Sequence, residues 1–267
     1  MQLIDLTRPL DPGMRDRMPK IARAAAQVIS PKVEPIDPAT NGAEMACAAF
    51  GCSIDDLPDG EGWGDEKLIM NTHIGTHVDA PLHYGTTCEG KPARTITDIA
   101  LEELVVPGVV LDIAGKVGRG EGIPVPVLQD ALDRAGGEIP AGGAALLRTG
   151  QGPITPEQLE YYGYPGMTRE GTLWLAEQGA KLLGTDALGW DRPFMVMRQA
   201  FEETGDPAEI WDGHFAGRDR EVFIVQQLTN LEELPLNGFT VGFFALPITG
   251  ASAAPARVVA FLDEEEN

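Results

Sequence analysis

The sequence predicts a single-domain α/β fold, on three observations. Short apolar runs bounded by Gly or Pro, Val105 to Ile113 and Ala144 to Thr149, read as buried strands. Between them Val127, Leu128, Ala131, Leu132 and Ala135 fall on one stripe at helical spacing, closed by Gly136-Gly137. Strand, helix, strand spacing without an internal repeat is the pattern of an α/β core. The chain has 267 residues, 43% of them hydrophobic, which is material for a sizeable core. No linker divides it, and closed or stacked β architectures of about 250 residues fold as one domain.

The remaining elements follow in chain order. Met1 leads directly into a strand-like segment, and Arg15 to Glu44, rich in Pro, Ala and charge, reads as an excursion or lid. Lys67 to Thr72 reads as a strand with His73 at its end, Gly75 and Thr76 as a turn, and His77 to Asp79 as a second extended piece that Pro81 ends. Thr155-Pro-Glu-Gln opens a helix with Pro at its first position, and Gly171 to Leu182 forms another. A helix from Asp206 has a good N-cap, Pro207 at its first position and Glu209 where a capping box wants an acid. On it Ile210, Trp211, His214 and Phe215 share a face, which turns His214 inward. Phe239 to Leu246 and Arg257 to Leu262 close the sheet, and Glu264 to Glu266 reads as a solvated tail.

Three of the four histidines, His73, His77 and His83, fall in one eleven-residue stretch together with Asp79. Imidazole nitrogen and carboxylate oxygen are ligands that catalytic divalent ions accept, commonly three at a time with an open position. Residues two apart on a strand face the same way, so His77 and Asp79 can converge on one ion. The HxxxH spacing also suits a zincin helix, but that motif needs a glutamate where Ile74 stands, and Gly75, Thr76, Val78 and Pro81 disfavour a helix. His83 returns beside the metal after Pro81 without necessarily joining it.

The stretch resembles the HxGTHxDxPxH signature of the cyclase-type metal-dependent hydrolases, which include bacterial kynurenine formamidase and isatin hydrolase. Weaker similarity runs through Ile4 to Leu10, Leu146 to Gly150, Gly184 to Asp191, Leu228 to Pro235 and Ala245 to Arg257. The resemblance implies a swivelling β/β/α fold, a mixed central sheet with flanking helices, and a homodimer or homotetramer in which neighbouring subunits shape the pocket. It implies metal ligands at His73, His77 and Asp79 and a catalytic role for His83. His214 matches a histidine that helps hold a second metal in the formamidases. Where those enzymes place a glutamate in the following strand, this chain has Gln226. Two divalent ions beside Asp79 alone would leave three positive charges uncompensated in a low-dielectric pocket, so one ion, Mn2+ or Zn2+, is the expectation. That inference fails if Asp186 or Glu66 folds into the pocket. His214 and Gln226 then hydrogen-bond water or substrate, and Phe50, Trp63, Tyr84 and Trp190 are candidates for an aromatic wall around a flat substrate.

The function expected is hydrolysis of a small cyclic amide or imide such as isatin. An aryl formamide such as N-formylkynurenine, or a lactone, could use the same site. Two histidines and a carboxylate also suit an Fe(II) oxygenase, and a metal-dependent binder without turnover is the third alternative. A net charge of −21 repels nucleic acid and acidic lipid, and favours a neutral small-molecule substrate over an anionic one. Gly115 to Gly122 and Gly150-Gln-Gly152 lack the Lys-Ser/Thr pair of a phosphate loop. No run approaches the roughly 18 apolar residues of a membrane span, and no basic signal head precedes the first strand, so the cytoplasm is expected. Cys47, Cys52 and Cys88, odd in number and without CxxC spacing, read as free thiols in a reducing compartment.

Overall fold

The computed structural model describes residues 1–262; the Glu264 to Glu266 tail lies outside the described residues. The first half of the chain carries β1 (Gln2–Asp5), α1 (Met14–Arg17), β2 (Lys32–Ile36), α2 (Asn41–Phe50), β3 (Asp65–Ile69), β4 (His77–Asp79), β5 (Thr87–Cys88), β6 (Lys91–Pro92), β7 (Val105–Asp112), β8 (Gly122–Ile123) and α3 (Val125–Arg134). The second half carries β9 (Ala144–Arg148), β10 (Gly166–Met167), α4 (Arg169–Glu177), β11 (Leu182–Thr185), α5 (Phe194–Thr204), α6 (Asp212–Phe215), β12 (Phe223–Gln226), β13 (Phe239–Ala245) and β14 (Ala253–Leu262).

The main sheet is mixed, in the order β1-β14-β13-β7-β9-β11-β12-β4. Strands β7, β9, β11 and β12 run parallel, while β4, β13 and β14 pair antiparallel. The sheet closes, because β4 also pairs with β14: Ala253 lies opposite Asp79 and Pro255 opposite His77. Beyond that seam the same edge of β14 takes β1, from Asp5 opposite Val259 to Gln2 opposite Leu262. A barrel-like core results, with both ends of the described chain in one sheet.

The period of two along each strand sorts side chains into two cores. Val110 and Leu146 join Val78, Phe223, Val225, Val241 and Val258 in the interior. Their neighbours Val109, Leu111, Ala145 and Leu147 pack outward against Leu128, Ala131 and Leu132 of α3 and Leu175 of α4. Strands buried on both faces read as unbroken apolar runs, which is why β7 and β9 stand out in the sequence. Each fully buried Val or Leu contributes about 1.5–3 kcal/mol relative to exposure.

Four expectations are corrected. The strand expected from Lys67 to Thr72 is present but runs from Asp65 to Ile69 and stops short of His73: β3 is exposed and pairs with β2, in register from Lys32 opposite Ile69 to Ile36 opposite Asp65, as an arm outside the main sheet. No helix opens at Thr155, because the Gln158 side chain accepts from Thr155 N at 2.8 Å and replaces the first helical turn with a side-chain loop; a short 3-10 turn follows at Leu159–Tyr162. The helix expected to reach Leu182 stops at Glu177, and Gly179 at φ 102 redirects the chain so that Leu182 already starts β11. Asp206 does cap, accepting from Ala208 N at 2.9 Å, but Trp211 at φ 53 breaks the expected helix into a 3-10 turn and α6. Glu209 pairs with Arg192 at 2.7 Å. The excursion is tied to the body: Met18, Ala22, Ala26 and Ile29 pack with Tyr161, and Val28 O accepts from Gly75 N at 3.0 Å.

Candidate metal centre

Strand β4 is three residues long and hydrogen-bonded on both edges, so its side-chain directions are fixed. Val78 faces the interior core, which sends His77 and Asp79 together to the other face. Across β12, Gln226 sits opposite His77 and Ile224 opposite Asp79. The turn before β4 needs glycine, since Gly75 adopts φ +57 and a Cβ there would stand 2.6 Å from Leu10 Cδ2. The carbonyl of Gly75 accepts from His77 Nδ1 at 2.7 Å, leaving Nε2 free to face the site, the arrangement that orients a ligating imidazole.

Four imidazoles surround one carboxylate. His73 Nδ1 lies 2.8 Å from Asp79 Oδ1, His77 Nε2 3.4 Å and His83 Nε2 4.0 Å from the same oxygen. His214 Nε2 lies 3.6 Å from Asp79 Oδ2, and Gln226 Nε2 donates to that oxygen at 2.7 Å. His77, Asp79, His214 and Gln226 are buried and form the floor, whereas the His73 and His83 side chains keep 18% and 22% of their surface and form the accessible lip. Ser252 Oγ is 3.3 Å from His73 Nε2, and the His73 and His83 rings approach to 3.9 Å.

Burial works to raise the Asp79 pKa, but the ring of imidazoles, led by His77 and His83, holds it well below the usual carboxylate range. Burial lowers the His83 pKa to about 4, with the neighbouring imidazoles adding to the shift and Asp79 opposing it. For His214 burial is outweighed by Asp191 and Asp79, and the pKa rises to about 9. His73, Asp79 and His83 each offer a ligand atom within 4.8 Å of the others, and His77 Nε2 adds a further nitrogen 3.4 Å from Asp79 Oδ1. A carboxylate oxygen among imidazole nitrogens, with an accessible side, is a donor set that fits a catalytic divalent ion.

The Cyclase family's sequence pattern matches residues 4–192. This chain belongs to the Cyclase family. Among curated members it is similar to the kynurenine formamidase of Paracidovorax citrulli, 28% identical over 194 residues, 72% of this chain and 77% of the relative. It is 26% identical over 238 residues to that of Delftia acidovorans, 86% of this chain and 94% of the relative. Isatin hydrolase A from Ralstonia solanacearum superposes with a TM-score of 0.71 at 26% identity, covering 98% of this chain and 92% of the other. Isatin hydrolase A from Labrenzia aggregata, bound to benzyl benzoate, has the same fold at a TM-score of 0.73 and 23% identity, covering 98% and 94%.

In this Cyclase-family chain the acids left open by the sequence stay out of the cluster. Asp186 is occupied by the 149–152 loop, accepting from Thr149 N and Oγ1 and from the backbone N–H groups of Gly150, Gln151 and Gly152 at 2.5–3.1 Å. Glu66 lies on the exposed arm. The expectation that Asp79 is the only carboxylate nearby is corrected by Asp191, which hydrogen-bonds His214 Nδ1 and accepts from Gly213 N at 2.6 Å. Its oxygens are spent behind His214, so it braces that ring instead of facing the four-imidazole cluster.

The aromatic expectations are redistributed. Tyr84 is 1% exposed; its hydroxyl donates to Asp79 O at 3.2 Å and accepts from Ile224 N at 3.0 Å, tying β4 to β12, so it is a brace and no wall. Trp190 is buried with Nε1 donating to Thr172 Oγ1 at 3.0 Å. Phe50 and Trp63 meet each other edge-on at 6.3 Å in the segment between β2 and β3, and Phe50 is 73% exposed. Among the described residues the tryptophan that touches the histidines is Trp211, stacked on His214 at 4.3 Å and edge-on to His83 at 4.9 Å. Its i, i+3 spacing from His214 was the available signal.

No helix among the described residues is long and apolar enough to cross a membrane.

Proposed function

We propose that the protein hydrolyses the C–N bond of a small cyclic amide or imide of the isatin type, with one divalent ion, Mn2+ or Zn2+, at His73, His77 and Asp79 and with His83 as general base and acid. The observation that carries this reading is the cluster of imidazoles around Asp79 with the neutral amide of Gln226, not a second carboxylate, on Asp79 Oδ2 at 2.7 Å. Two ions would leave a charge of about +3 beside Asp79, against +1 for one ion.

Lewis acidity is the chemistry such an ion supplies when bound, polarising a carbonyl and making water more acidic. On the accessible lip, His83 takes a proton from the water that attacks the carbonyl carbon. The C–N bond breaks and the proton passes from His83 to the departing nitrogen, leaving a carboxylic acid, ionised at neutral pH, and an amine on the opened ring. His214, oriented by Asp191, and Gln226 hydrogen-bond the water or the substrate oxygen from the floor. Trp211 offers an aromatic edge beside His83 that suits an aryl ring.

An aryl formamide such as N-formylkynurenine is the second reading, favoured by the curated relatives named kynurenine formamidase. A homodimer or homotetramer in the cytoplasm completes the proposal. Elemental analysis, with a panel of isatin, N-formylkynurenine and simple lactones, tests it. One ion per chain and carboxylate release from isatin without oxygen consumption are expected. His83→Ala should keep the ion and lose about 100-fold or more in turnover. Iron-dependent oxygen uptake, or no turnover of any of these substrates by the loaded protein, overturns the reading.

A further inference from the structure

Helix α2 ends on Gly51 in the left-handed region at φ 66, and the carbonyl of Cys47 accepts from both Gly51 N at 2.8 Å and Cys52 N at 3.2 Å. The bond from the residue after the glycine back to the last-turn carbonyl is the Schellman closure, in which the side chains at those two positions meet, usually as an apolar contact. Here both positions are cysteine, and the backbone bond from Cys52 N to Cys47 O at 3.2 Å sets the two residues side by side. We infer that Cys47 and Cys52 are a modification site: a dithiol that closes to a reversible intramolecular disulfide across the C-terminal end of α2.

Geometry and access both favour the pair. A disulfide requires Cα atoms roughly 4.4–6.8 Å apart with side chains facing, and the closed turn, with Cys52 N bonded to Cys47 O, draws the two residues together. Each cysteine is partly exposed, while Cys88 is buried with its Sγ donating to Gly217 O at 3.1 Å. The backbone around the pair is already set. Gly62 N donates to Pro38 O at 2.9 Å, a Cβ on Gly62 would stand 2.1 Å from Gly42 O, and Ser53 N and Oγ both donate to Asp56 Oδ2. Cross-linking therefore asks for side-chain rotation within a closed lobe. A bridge over so short a loop gains little from chain entropy and lies near solvent, which makes it reducible and reversible.

The step balances with a low-molecular-weight disulfide as oxidant. The Cys52 thiolate attacks one sulfur of the small disulfide and expels the first small thiol. Cys47 then attacks Cys52 Sγ and expels the second. Two protein thiols lose two electrons and two protons, and the small disulfide gains them as two thiols. Burial, together with Cys52 and Asp56, pushes the Cys47 thiol up, so the second attack depends on its position beside Cys52 and not on thiolate character.

The test equilibrates the full chain in glutathione buffers of rising oxidised fraction, quenches with acid, alkylates under denaturing conditions and reads peptide masses. The expected result is loss of two hydrogens from the peptide joining Cys47 and Cys52, full alkylation of Cys88, and reversal by dithiothreitol. Cys47→Ser should stall as the glutathione adduct on Cys52. Both thiols remaining free in the most oxidising buffer, stable adducts on both cysteines of the unsubstituted chain, or bridges only between chains would each overturn the inference.

Discussion

Gln226→Glu places a carboxylate oxygen where an amide nitrogen now donates to Asp79 Oδ2 at 2.7 Å. In the metal-free protein a donor is exchanged for a like charge, and the His214 imidazole, 3.3 Å from the same Gln226 nitrogen with its pKa raised to about 9, offsets part of the repulsion. Two unit charges about 4 Å apart at an effective dielectric of about 20 repel by about 4 kcal/mol. The site has two responses: it loses stability of that order, or it holds one shared proton on the pair. Either way the metal-free variant should unfold in less denaturant at neutral pH than the parent, and the deficit should shrink as acid supplies the proton. Divalent metal should reverse the order of effects. With the extra carboxylate, two ions leave about +2 instead of +3, and the variant should approach two ions per chain at metal concentrations where the parent holds one. The assays are urea unfolding after chelation and elemental analysis after equilibration with Mn2+ or Zn2+. A parent that already binds two ions, or a variant with unchanged metal-free stability and still one ion, refutes the charge reasoning.

Other expectations are smaller in scope. His77→Ala should lose the ion, and chelation should lower the melting temperature of the parent but not of this variant; the linkage is about 2.7 kcal/mol at metal a hundredfold above Kd. Equal metal content in parent and variant would remove His77 from the ligand set. Tyr84→Phe leaves Ile224 N–H without its acceptor between β4 and β12, and should cost about 1–3 kcal/mol in urea unfolding while the metal content stays at one. Gly75→Ala forces a side chain into the left-handed region and against Leu10, so it should cost at least about 1–2 kcal/mol and weaken metal retention, read by calorimetry and elemental analysis.

What was legible in the sequence divides along physical lines. Strands β7 and β9 and helix α3 were readable because burial on two faces, and on one stripe, leaves a local pattern. His73, His77, Asp79 and His83 were readable because their chemistry is crowded into eleven positions and the strand period aligns 77 with 79. Asp191 was not. A buried imidazole such as His214 calls for a partner on its other nitrogen, but the chain has 41 acidic residues and no local pattern says which one comes back to it. The helix expected at Thr155 failed because Gln158 competes for the backbone, and the one from Asp206 broke at Trp211, where a bulky residue takes a left-handed conformation that propensity disfavours. Phe50 and Trp63 were drawn toward the site by nearness in sequence, but the arm that carries them pairs with itself.

Closure of the barrel and assembly of the site are the same structural event. β4 is the strand that completes the ring, bonded to β12 on one side and β14 on the other, and it carries His77 and Asp79. β12 brings Gln226 to Asp79, the residue before β14 brings Ser252 to His73, and Tyr84 bonds β4 and β12 through one hydroxyl. With only three residues, β4 has too few ladder bonds to close the ring firmly alone, and the buried carboxylate it carries is costly without partners. The imidazoles and Gln226 offset that cost, and a bound cation would offset it further. The buried charge at the candidate site therefore also contributes to holding the seam shut.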